Sequence, residues 1–128
     1  MGLFNTFFGS NSDKPKQEEK HLEWRKLTKI SQLDFLVNES KTKTVLVFKH
    51  STRCSISKMV FRNFERMFNG ENYSLYYLDL LAYRAISDEI GFRFQVLHQS
   101  PQVIILKNGV AVANASHYAI NELDYSSI

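Results

Sequence analysis

Thr44-Val45-Leu46-Val47-Phe48 is an unbroken β-branched and aromatic run. A strand with one wet face alternates polar and apolar residues. A continuous run instead suits a central strand covered on both faces. The segments around it change period in a regular way. Glu23-Trp24-Arg25-Lys26-Leu27 reads as a short edge strand, and Ser31 as the N-cap of a helix carrying Leu33, Leu36 and Val37. Val60, Phe61, Phe64, Met67 and Phe68 recur at helical spacing, and Asn69-Gly70 ends that helix. Tyr73 to Leu80 reads as the next strand, and Ile86, Ile90 and Phe94 line one face of a third helix. Gln102 to Leu106 is a further strand. Asn108-Gly109 predicts a type I′ hairpin, because that turn needs positive φ at both central positions. Val110 to Ala115 would return, followed by a short final helix with Ile120 and Leu123.

The expected order is β-α-β-α-β-α-β-β-α. Its front half implies parallel strands joined by crossover helices, and its hairpin adds an antiparallel edge. That order resembles a thioredoxin-like fold: α/β, with a central mixed sheet of parallel strands plus a C-terminal hairpin, flanked by helices. At 128 residues the chain suits one folded domain. We assign residues 1–22 to an N-terminal apolar arm and linker, and residues 23–128 to the thioredoxin-like domain. Gly2 and Thr6 of the arm fit the N-myristoylation pattern. The plainer reading is that Leu3, Phe4, Phe7 and Phe8 bury against the domain or a partner.

Several function classes are disfavoured. The net charge of +3 comes with no block of like charges, so nucleic acid is not an expected partner. No apolar run approaches the roughly 18 residues of a membrane span. The start of the chain lacks a signal-peptide pattern. The expected location is cytoplasmic, and a lone free cysteine suits such a reducing compartment.

Cys54 is that single cysteine. One Cys forms no internal disulfide, resolving pair or Cys-rich zinc site. If it reacts, it trades sulfur with a partner. The polar stretch Lys49 to Arg53 reads as a loop at the carboxyl end of a strand, where open α/β sheets place ligand sites. Cys54 then falls at the first turn of a helix, where free N–H groups and the helix dipole favour the nucleophilic thiolate. Arg53 adds positive charge, and Ser57 is placed to offer its hydroxyl to the sulfur. The alternative is a buried structural cysteine. His50 reads as a strand-end residue, and His98 and His117 have no assignment. No His/Asp/Glu spacing suggests a metal site, and no bound cofactor is expected. Pro101 opens a strand in which it cannot donate to the ladder. A cis Ser100–Pro101 bond, turning sharply into the strand, resolves this.

His50-Ser51-Thr52-Arg53-Cys54-Ser55-Ile56-Ser57, with Ser100-Pro101-Gln102 and Ser116-His117, resembles the monothiol bacilliredoxin family over about residues 22 to 124. These are thioredoxin-like proteins of the bacillithiol redox system, also described as general stress proteins. The resemblance implies removal of bacillithiol from mixed disulfides on client proteins. Cys54 takes the place of the reactive cysteine and Pro101 that of the cis-proline. In that fold the cis-proline loop faces the cysteine, and the backbone of Ser100 can pair with an extended ligand. The exchanging thiol is bacillithiol, which carries a malate carboxylate group that Arg53, Lys49 and Lys58 are candidates to hold. The partners implied are bacillithiolated client proteins and a low-molecular-weight thiol reductant. The family commonly has Pro after the cysteine. Here Ser55 supplies one more N–H near the sulfur.

Two other readings stand beside this one. Monothiol glutaredoxins share Cys-x-x-Ser and can hold an iron–sulfur cluster between subunits, but carry Gly where this chain has Ser55. A thioredoxin-like interaction module without catalysis would use the aromatic arm, since fold does not fix function.

Overall fold

The computed structural model describes residues 22–128. The myristoylation pattern and the apolar residues of the arm lie outside the described residues.

The elements follow the expected order: β1 (Trp24–Lys26), α1 (Ser31–Glu39), β2 (Thr44–His50), α2 (Ser55–Met67), β3 (Tyr73–Asp79), α3 (Arg84–Phe94), β4 (Gln102–Lys107) and β5 (Val110–Ser116). They form a five-stranded mixed sheet in the order β1-β3-β2-β4-β5. β3 runs parallel to both β1 and β2, whereas β4 runs antiparallel to β2 and β5. At the β4–β5 turn, Asn108 and Gly109 have φ of 53° and 81°, as a type I′ turn requires.

β2 is central, and its pleat divides the core. Val45 and Val47 face α1 and α3, together with Leu33, Leu36, Ile86, Ile90 and Phe94. Leu46 and Phe48 face α2 and the C-terminal turns, together with Val60, Phe64, Ile120 and Tyr125. Period 2 in the strand thus feeds two apolar layers, as expected for an unbroken run.

The structure departs from the sequence reading at three places. Ser31 is not the cap of α1; Ile30 holds that position without a side-chain cap bond. The Gln32 side-chain oxygen instead accepts from the amides of Thr28 and Lys29 at 2.7 and 2.9 Å. A longer amide reaches back over the entering chain and replaces the shorter hydroxyl. β2 also runs two residues further, because Lys49 and His50 pair with Leu78 and Asp79. Finally, the last helix is two short 3₁₀ turns, His117–Asn121 and Tyr125–Ser127. His117 enters the first at φ 57°, and Asp124 starts the second by accepting from the Ser126 amide.

β2 and β3 point their carboxyl ends toward one rim of the sheet. β4 begins there, since Gln102 pairs with Lys49. The loop from His50 to α2 and the loop entering Pro101 therefore share that rim.

Candidate thiol site

Cys54 is the N-cap residue of α2, with φ −104° and ψ 124°. Its amide donates to the Ser51 carbonyl at 3.3 Å, and its carbonyl accepts the first helical bond, from Lys58, at 3.0 Å. The side chain is half-buried and the thiol is free. Among the described residues the sulfur has no hydrogen-bond partner. Free amide ends and the positive helix end lie around it.

Ser57 does not serve the sulfur as expected. Its hydroxyl is fully buried, accepts from the Ser51 amide at 3.0 Å and lies 2.8 Å from His50 Nδ1. Ser57 is the third residue of α2, and its side chain turns back over the loop entering the helix. A hydroxyl has one hydrogen and two lone pairs. Here Ser51 takes one lone pair, and His50 takes either the hydrogen or the other lone pair. Ser57 therefore shapes the Ser51–Cys54 turn from below.

His50 is more than a strand-end residue. It is buried and stacks on Phe61 with ring centroids 4.9 Å apart and planes at 23°. Burial lowers its proton affinity, with Lys58 acting in the same direction and Asp79 opposing. The neutral ring thus favours folding above the free histidine value of 6.5, and that contribution is lost as pH falls through the lowered one. Ser57→Ala removes the shared partner of Ser51 and His50. We expect a loss of about 1–3 kcal/mol, the cost of orphaned buried polar groups. Urea unfolding measures it, and an unchanged midpoint would refute this role for the hydroxyl.

Lys49 is a second correction. It does not stand in a loop beside Cys54 but continues the Val45–Val47 face of β2, away from α2, and is fully buried. A pleated strand sends neighbouring side chains to opposite faces, so Lys49 and His50 diverge. The Lys49 amine donates to His98 Nδ1 at 2.8 Å. Burial pushes its pKa down to about 8, with Asp88 opposing and Arg84 reinforcing the shift. Met fills similar space without a charge. We expect Lys49→Met to raise stability at about pH 6.5 by about 1–2 kcal/mol, as replacing buried ions often does. A lowered pKa means that the folded state resists the proton. The ammonium therefore costs stability in full below about 8, and the cost fades as pH rises toward 10.5. Denaturant midpoints equal to wild type at every pH would overturn this.

The other expected residues lie on the rim. Arg53 and Lys58 are exposed on either side of Cys54 in the chain, and neither forms an ion pair among the described residues. The Ser100–Pro101 peptide is cis, Ser100 is half-buried and Pro101 is buried. The Pro101 carbonyl accepts from the His117 amide at 3.0 Å, tying this loop to the end of β5.

Sequence reasoning placed Gln102 in a strand and a motif but gave it no role of its own. It is buried; its amide nitrogen donates to the Leu97 carbonyl at 2.9 Å and its oxygen accepts from the Gln99 amide at 3.3 Å. One side chain thus braces the loop before Pro101. The available signal was a polar residue heading the apolar run Val103 to Leu106. Among the described residues, no group of three His, Cys, Asp or Glu side chains could hold a metal ion, and no helix is long and apolar enough to cross a membrane.

A family model described as monothiol bacilliredoxin BrxC matches residues 25–124. A solved protein described as a candidate oxidoreductase with a thioredoxin fold is 35% identical, with TM-score 0.68; the match covers 77% of this chain and 86% of that one. Thioredoxin from Malassezia sympodialis is 20% identical with TM-score 0.63, covering 84% of this chain and 93% of its own. Thioredoxin from Trypanosoma brucei brucei is 13% identical with TM-score 0.63, covering 80% and 86%. The last two speak to the fold alone.

Proposed function

The chain belongs to the monothiol bacilliredoxin family, and from that premise we propose that Cys54 removes bacillithiol from mixed disulfides on client proteins. The family and the thioredoxin fold make this a redox protein. The observation that carries the finer reading is the thiol itself: half-exposed, at a helix N-terminus, on the carboxyl rim of the sheet, with no second cysteine.

The Cys54 thiolate attacks the bacillithiol sulfur of the client disulfide. A Cys54–bacillithiol disulfide forms, the client sulfur leaves as a thiolate and takes up a proton, and the electron count is unchanged. A low-molecular-weight thiol then attacks the adduct and restores Cys54, because the chain has no resolving thiol. Arg53 and Lys58 hold the malate carboxylates of bacillithiol, and the backbone at Ser100 and Pro101 receives the client segment. Lys49 and the Ser57 hydroxyl have no part in holding the incoming thiol. A reducing compartment such as the cytoplasm would keep Cys54 available.

Intact mass spectrometry after mixing with a bacillithiolated client tests the transfer. The expected result is one bacillithiol gained by this chain for each client thiol freed. A client that keeps its adduct would sink the proposal.

A further inference from the structure

The loop of residues 97–100, which leads into Pro101, is tied down at three points. Gln102 holds the Leu97 carbonyl and the Gln99 amide. The third tie is Lys49, whose amine reaches from inside β2 to His98 Nδ1 at 2.8 Å, with the Ser87 hydroxyl 3.5 Å from the same nitrogen. Lys49 is fully buried, whereas His98 lies on the surface. Its amine is thus spent on an exposed loop residue.

We propose that Lys49 is a positioning residue for thiol exchange, pinning the cis-proline loop through His98, and that acid releases the pin. This rests on the reading that Cys54 exchanges thiols with protein clients. An imidazole nitrogen that accepts from an ammonium must be unprotonated, which leaves the hydrogen on Nε2. Protonating His98 removes that lone pair and sets two cations face to face. Among the described residues, the charged groups around the pair are Arg84 and Asp88 of α3: Arg84 adds to the repulsion, and Asp88 opposes it. Burial, then Lys49 and Arg84, lower the proton affinity of His98. A base with a lowered pKa supports its pinned state above the free value of 6.5 and loses that support as pH falls through the lowered one.

The test compares wild type, Lys49→Met, His98→Asn and Cys54→Ser across about pH 5–8. Three rates are read: bacillithiol transfer from a protein client, alkylation of Cys54 by iodoacetamide, and amide hydrogen exchange over residues 97–102. Near pH 7.5, Lys49→Met should slow transfer about tenfold and speed 97–102 amide exchange about tenfold, the scale of one charge-assisted hydrogen bond. Its alkylation should stay within about twofold of wild type. Wild-type transfer should fall in acid more steeply than wild-type alkylation. His98→Asn, whose oxygen accepts the same bond without titrating, should lose that extra fall. Unchanged transfer and amide exchange in Lys49→Met overturns the proposal, as does an acid fall in His98→Asn equal to wild type. If wild type transfers no faster than Cys54→Ser, the exchange reading fails and Lys49 has no part in it. Faster amide exchange in Lys49→Met would in that case leave only a structural pin.

Discussion

Cys54→Ser should abolish the proposed bacillithiol transfer, with an expected loss of at least about a thousandfold, while the protein melts at the same temperature as wild type. The activity half follows from chemistry. A thiol ionises enough near neutrality to attack sulfur, whereas an unactivated serine hydroxyl does not. No other sulfur nucleophile can replace it, because the three other sulfurs in the chain are methionine thioethers. The stability half follows from structure. The Cys54 side chain is half-exposed and its sulfur hydrogen-bonds to no described residue, so exchanging sulfur for oxygen breaks no hydrogen bond among the described residues. The bonds that shape this turn come from its backbone and from the Ser57 hydroxyl, and none of them involves the sulfur. Client thiol release and a thermal melt measure the two halves together. Transfer persisting in the folded variant would refute a nucleophilic Cys54.

Phe64→Ala should cost about 3–5 kcal/mol, the usual penalty for emptying a buried aromatic site. Phe64 is fully buried on the α2 side of the sheet. Its ring stacks on Phe68 at 4.6 Å and meets Phe48 and Tyr125 edge-on at 5.4 Å each, with Trp24 at 6.0 Å. These partners come from β1, β2, the residue that ends α2 and the last turn, so one truncation loosens four segments at once. They are themselves large rings held in place by one another, which leaves the cavity little means to collapse. A domain has about 5–15 kcal/mol in total, so the variant should unfold at much lower urea. A midpoint shift worth under about 1 kcal/mol would show that the rings repack.

The layers of the fold were legible because β2 and the helices obey two different periods. Val45 to Phe48 suits a strand covered twice, and Asn108-Gly109 suits a tight hairpin turn. The position of Cys54 followed from the same switch of period. The roles of its neighbours did not follow. Whether the strand stops at Phe48 or His50 decides which face Lys49 takes, and Lys49 and His50 are too polar for composition to place them in a strand. Pairing with β3 decides it, and pairing is a long-range fact. Ser57 misled for a related reason. Its spacing from Cys54 is visible in the sequence, but its competing partners, the Ser51 amide and the His50 ring, come together only once the loop has folded back. Gln102 shows the opposite case, a polar residue in an apolar run whose loop partners no periodicity reveals.

The commitments of Ser57 bear on engineering. The position that would hold a second thiol in a two-cysteine active site is occupied by an oxygen already engaged with Ser51 and His50. Sulfur there would be a larger and weaker acceptor in a closed space. A self-resolving variant therefore requires redesigning His50 and the turn above it, so the one-thiol chemistry is built into the packing as well as into the count of cysteines.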